Sequence, residues 1–75
     1  MPEATPSPLR RVFADNVRKH RKAIGISQEE LADRAGVHRT YVGAVERAEV
    51  NISLDNIDRI STALGARAGE LLQSG

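Results

Sequence analysis

Apolar residues recur along most of this chain at intervals of three and four, the period of an amphipathic α-helix. Leu9, Val12, Phe13, Val17 and Ile24 form the first such stripe. Ser7 stands where a cap is needed. Pro8 suits the first helical position, where its fixed φ fits and its missing N–H loses nothing. Gly25 can end the run as a left-handed cap, so the pattern predicts a helix from Pro8 to Ile24. Ser27 followed by Glu30 is a reciprocal capping box, and Ile26 with Leu31 makes a hydrophobic staple. Gly36 stops that second helix after two turns and lets Val37 fold back on Leu31 and Ala32. The predicted second helix is Gln28 to Ala35. A third follows from Arg39 to Arg47, with His38 at its capping position and Val42 and Val45 facing inward. Ala48 to Ile52 connects to a fourth helix, capped by Ser53 and stapled by Ile52 and Ile57. Its stripe is Leu54, Ile57, Ile60 and Leu64, and Gly65 ends it. A short last helix, Arg67 to Gln73, carries Leu71 and Leu72. No alternating strand pattern or internal repeat occurs. The expectation is an all-α, five-helix domain over residues 9–75. The tail before it, residues 1–8, holds all three prolines and is read as disordered.

Two short helices joined by a tight turn are the helix-turn-helix plan. Their steep crossing needs small or aliphatic side chains, here Leu31, Ala32, Ala35, Val37, Val42 and Val45. Gly36 lets the chain reverse at positive φ, which costs a residue with a Cβ about 1 kcal/mol or more. The opposite face of the third helix carries Arg39, Thr40, Gly43, Ala44 and Arg47 and is free to enter a major groove.

Total charge argues the other way until it is divided by element. Eleven Lys and Arg against ten Asp and Glu leave +1 over 75 residues, whereas a strongly basic balance is the usual footprint of nucleic-acid binding. Leu9 to Gly25, however, holds six basic residues and one acidic one, while Ile26 to Gly75 holds five basic and eight acidic. The molecule is polarised, with positive charge on the first helix. One Phe, one Tyr and no Trp exclude the stacking platforms that bind single strands. The absence of cysteine excludes a disulfide scaffold, a thiolate metal site and a cysteine nucleophile. His20 and His38 lie on different helices without a partner at ligand spacing, so neither metal nor cofactor is expected. No nucleophile pattern supports an enzyme. Asp55 and Asp58 read as a solvated face. Without a long apolar run or a signal-peptide pattern, a soluble cytoplasmic chain with no membrane partner is expected.

Gln28, Ala32, Gly36, Val42 and Val45 stand at the spacing of the lambda-repressor/Cro-like (Xre) family, which Gln28 to Arg47 resembles. The stretches IGISQEELA, HRTYVGAVERAEVNISL and LGARAGELL are similar to restriction–modification controller proteins, a one-domain branch of that family, and the likeness runs from about Leu9 to Leu72. The resemblance implies a five-helix fold and a homodimer on a two-fold operator in double-stranded DNA, often in its own promoter. RNA polymerase is a further partner to be expected. Gln28 would touch a phosphate and Arg39 a guanine edge or phosphate. Thr40 would meet a base or a thymine methyl, and Tyr41 would donate its hydroxyl to a phosphate. Gly43 and Ala44 would permit close approach, Arg47 and Asn51 would meet the backbone, and His38 would lie beside the recognition surface. Arg18 with Glu46 would be the internal ion pair that braces helix 1 against helix 3. Spare apolar residues Leu54, Leu71 and Leu72 would form the dimer interface.

The chain departs from the family in four places. His20 replaces an aliphatic residue, and His38 a Ser, Thr or Asp cap. Ala48 stands where Gly is frequent, and Glu49 and Val50 where polar or basic residues are common. An antitoxin, a phage-type repressor, and a protein-interaction module that no longer binds DNA remain alternative readings.

Overall fold

The computed structural model describes residues 6–74. Among them are five helices: α1 (Pro8–Ala23), α2 (Gln28–Ala35), α3 (Arg39–Glu46), α4 (Leu54–Leu64) and α5 (Ala68–Leu71). Most of the expected tail, residues 1–5, lies outside the described residues. Cap chemistry sets the boundaries. Ser27 Oγ accepts the Glu30 N–H at 3.0 Å, and Ser53 Oγ accepts that of Asn56 at 3.1 Å. Gly36 and Gly65 end α2 and α4 at φ of 70° and 69°, in the left-handed region where glycine has no Cβ to clash. Ser7 differs from expectation: its hydroxyl makes no capping bond, and α1 starts on Pro8 with the Ser7 carbonyl accepting from Arg10 N at 3.0 Å. The last helix is one turn, shorter than its apolar pattern suggested. Its start is held by one bond, from the Arg67 N–H to Glu70 Oε1 at 3.0 Å.

α2 packs against both α3 and α4, and α1 lies across α3, α4 and α5. The core draws on every helix: Phe13 and Val17 from α1, Leu31, Ala32 and Ala35 from α2, Val42 and Val45 from α3, Ile60 and Leu64 from α4, and Leu71 from α5. The residues expected at the helix-turn-helix crossing are therefore in it, with Val37 packed at its edge. The ends of the apolar stripes are not. Leu9 and Ile24 are about half exposed and Leu54 is 81% exposed. Leu71 corrects the expected dimer surface: it is fully buried in the protomer and cannot serve a second copy. Two polar side chains of α1 do structural work. Asn16 Nδ2 donates to the carbonyls of Leu71 and Gln73, both at 2.9 Å, and so ties down the end of α5. The half-buried His20 reaches the Asn16 carbonyl of its own helix with Nδ1 at 3.0 Å.

The chain leaves α3 through Ala48, which sits at φ 59°. The Glu49 N–H returns to the Ala44 carbonyl at 2.9 Å and closes the turn. A Cβ in this region costs about 1–2 kcal/mol, and this is the position where the resembling family often has Gly. Ala48→Gly should relieve that strain while making the unfolded chain freer by about 0.4–1 kcal/mol, for a net gain of about 0.5–1 kcal/mol. Urea unfolding checks this: the midpoint should rise at constant slope, and a lower midpoint would refute the strain.

Candidate nucleic-acid interface

Glu46 ends α3 with its side chain 3% exposed. A carboxylate in that position is costly unless paired and hydrogen-bonded. Three side chains from two helices supply its partners. Arg21 of α1 approaches as a fork, with Nε 2.7 Å from Oε2 and Nη2 3.0 Å from Oε1. Gln28, the first residue of α2, donates Nε2 to Oε1 at 3.0 Å. Arg18 Nε lies 3.9 Å from Oε1, and its Nη2 donates to the Glu46 carbonyl. Arg21 Nη1 also donates to the Ile26 carbonyl at 3.0 Å, fixing the loop before α2. Burial pushes the Glu46 carboxyl up. The hydrogen bonds from Arg21 and Gln28, with the charges of Arg21 and Arg18, outweigh burial and hold the group below its ordinary range. The hydrogen bond to Glu46 correspondingly raises Arg21, against burial and with the charge attraction adding to it.

The expected pair of Arg18 and Glu46 is thus present but secondary. Arg21, with its side chain 12% exposed against 40% for Arg18, makes the close fork. Three residues apart on α1, both arginines face α3, and sequence spacing does not rank them.

Clamped in this way, the amino end of α2 and the outer face of α3 enclose an open notch of about 530 Å³. It is lined by Gln28, Arg39, Thr40, Gly43 and Arg47 from the expected site, together with Arg21, Ser27 and Glu29. Arg39 is exposed, with Nη1 3.6 Å from Glu29 Oε2. Arg47 pairs with Glu49, Nε to Oε1 at 3.0 Å. Exposed pairs of this kind contribute about 0–1 kcal/mol, so a phosphate or base edge can displace them. Gly43 lines the notch and is buried there: a Cβ would stand 3.1 Å from Arg47 Nη1 and 3.7 Å from Gln28 Oε1. Its bareness makes room for Arg47 to lie back on α3. Ala44 beside it is half-buried.

His38 is an effective cap. Its Nδ1 accepts the Thr40 N–H at 3.2 Å and lies 2.9 Å from Thr40 Oγ1. Tyr41 packs its ring against the core, and its hydroxyl oxygen accepts from Asn56 Nδ2 at 3.0 Å. Asn51 is not brought to the notch. It lines a separate, mostly apolar groove with Leu9, Phe13, Val50, Ile52, Ile57 and Leu72. Leu54 is near that groove in sequence and stands out into solvent. Sequence reading missed Arg21, Glu29 and Asn56. Only their place near helix ends was visible, and the partners that give them a part in the site, Glu46 for Arg21, Arg39 for Glu29 and Tyr41 for Asn56, lie on other helices. Among the described residues no helix is long and apolar enough to cross a membrane, and no cluster of three or more His, Cys, Asp or Glu could hold a metal ion.

The turn geometry, the clamped helix pair and the notch define a helix-turn-helix protein. The profile of a helix-turn-helix family matches residues 17–71, and the chain belongs to this family of DNA-binding transcription regulators. It is 53% identical over 64 residues to a hypothetical transcription factor of Neisseria meningitidis, a match that covers 85% of this chain and 60% of that protein. It is 45% identical over 65 residues to the control protein C.BamHI of Bacillus amyloliquefaciens, covering 85% and 80% of the two chains. The crystal structure of the restriction-modification controller protein C.AhdI from Aeromonas hydrophila superposes with a TM-score of 0.80 at 45% identity, covering 83% of this chain and 94% of that one.

The lowered carboxyl of Glu46 fixes the sign of an acid effect. The folded form holds that proton less readily than the unfolded chain, so unfolding takes up a proton near and below the ordinary value of 4.5. The contribution of Glu46 is complete above that range and is lost as the pH falls through the lowered folded value. Glu46→Gln should cost about 3 kcal/mol at neutral pH by leaving Arg21 buried without its anion. It should also flatten the acid limb of a stability-against-pH curve. Curves for the two proteins that run parallel below pH 4.5 would contradict the assignment.

Proposed function

We propose that the chain is a controller-type regulator that binds a two-fold operator as a homodimer, with α3 in the major groove. The observation that carries this reading is the convergence of Gln28, Arg39, Thr40 and Arg47 on one notch beside the start of α2. A helix amino terminus presents unpaired N–H groups and a partial positive charge, which suit a phosphate. Gln28 spends one N–H on Glu46 and keeps the other for that phosphate. Arg39 carries its exposed fork to a guanine edge, a contact worth about 1–3 kcal/mol of discrimination. Thr40 offers its methyl to thymine. His38 is given the role of holding the first turn of α3, and Thr40 with it. Arg47 and the Tyr41 hydroxyl take the backbone on either side, and the basic surface of α1 adds long-range attraction. Asn51, in the separate groove, is assigned no DNA contact.

A dimer places two recognition helices about 34 Å apart, one turn of B-DNA. Leu54, 81% exposed, and Leu72, lining the groove with Val50, Ile52 and Ile57, offer the apolar surface for it. Likeness to control proteins supports an operator in the promoter of a restriction–modification system, autoregulation, and work in the cytoplasm beside RNA polymerase.

Arg39→Ala should weaken binding to a duplex from upstream of the chain's own gene by about 1–3 kcal/mol per half-site, with an unchanged melting temperature. A gel-shift titration that gives wild-type affinity would remove Arg39 from the interface. Log affinity of the unaltered protein should fall steeply and linearly with log salt as phosphate counterions are released. A flat dependence would favour a module that binds protein instead.

A further inference from the structure

We infer that Asn56 is a positioning residue for DNA binding, which sets the Tyr41 hydroxyl as a donor aimed away from the protein. The inference rests on the DNA-binding reading above and adds to it a residue of α4, outside the helix-turn-helix. Asn56 Nδ2 lies 3.0 Å from Tyr41 Oη. An amide nitrogen only donates, so the phenol oxygen accepts and must direct its own proton elsewhere. Among the described residues no group takes that proton. The orientation of the amide is itself determined. Asn56 Oδ1 accepts from Arg59 Nη1 at 3.2 Å, and a flipped amide would set donor against donor there. The Asn56 backbone N–H is held by Ser53 Oγ at 3.1 Å, which pins the residue in the first turn of α4.

The result is a directed chain from the Arg59 guanidinium through Asn56 to Tyr41, in which each hydrogen bond polarises the next. Its free end is an O–H on a ring that the core holds in place, on α3 next in the chain to the notch residue Thr40. A phosphate oxygen accepts only, so it is the partner this polarity fits. Asn56 and Tyr41 lie 15 residues apart and on different helices, so the pattern of either helix alone gives no sign of the pairing.

The test reverses the polarity without changing the shape. In Asn56→Asp the carboxylate can still pair with Arg59 and suits the start of a helix, so a merely structural role predicts a stable protein. A carboxylate accepts from Tyr41, however, and captures the proton intended for DNA. This chain has one Tyr and no Trp, so its tyrosine Raman doublet reports one phenol. That doublet should change from the accepting to the donating form in Asn56→Asp. Affinity for the upstream duplex should fall about tenfold per half-site. Asn56→Ala, which removes the donor without adding charge, should cost about threefold. Both variants should be measured also in a Tyr41→Phe background, where the part of the loss that passes through the hydroxyl disappears and only general charge repulsion remains.

Equal losses in the two backgrounds, or an unchanged doublet, would overturn the inference and leave the DNA-binding reading intact. Failure of the unaltered protein to shift the duplex at any salt would overturn that reading itself. If Asn56→Asp does not fold, the Asn56→Ala cycle with Tyr41→Phe decides alone.

Discussion

A buried carboxylate must be surrounded by donors, and in this chain that requirement organises the site. Glu46 sits at the end of α3 with almost no access to water. It can stay ionised there only because Arg21, Arg18 and Gln28 reach it from α1 and α2. The same contacts that neutralise the charge fix how α3 lies against the start of α2. Apolar packing at Leu31, Ala32, Val42 and Val45 brings the two helices together, but it tolerates small changes of angle. Hydrogen bonds with defined directions tolerate them less. The notch that faces outward therefore inherits its shape from an ion cluster on its inner side.

The exposed side chains of the notch are held loosely by comparison. Arg39 and Arg47 each rest on a surface glutamate, in pairs that solvent screens. This division suits recognition. The backbone is preorganised, so little ordering is required when a ligand binds, while the contacting arginines are free to exchange one anion for another. Tyr41, outside the notch lining but next to Thr40 on α3, differs: its ring is packed and its hydroxyl is already engaged on one side.

Much of this was legible in the sequence, for identifiable reasons. Helix starts at Ser27 and Ser53 and stops at Gly36 and Gly65 follow from local chemistry, and local chemistry is what a sequence displays directly. The grouping of Arg39, Thr40 and Arg47 followed from helical spacing on the outer face of α3, and the family resemblance placed Gln28 with them. What escaped depended on distances between elements. Arg18 and Arg21 share a face, and only the placement of α1 over α3 decides which takes the close fork. Leu71 and Leu72 are adjacent and equally apolar, yet one is sealed in the core and the other lines a groove. Gly43 looked like bare surface because its spacing faces outward, and the return of the Arg47 side chain over it has no sequence signal. Ala48 is intermediate: its oddity was visible as an absent glycine, but its φ of 59° was needed to explain why glycine belongs there.

The notch between α2 and α3 is the surface proposed to meet DNA. The most direct measurement is an NMR titration of the isotope-labelled protein with its upstream duplex, following every backbone amide. The largest changes are expected at Gln28, His38 to Ala44 and Arg47, with little at the groove around Leu9, Ile52 and Leu72 beyond any effect of dimerisation already present without DNA. Changes confined to that groove, with the notch amides unmoved, would contradict it.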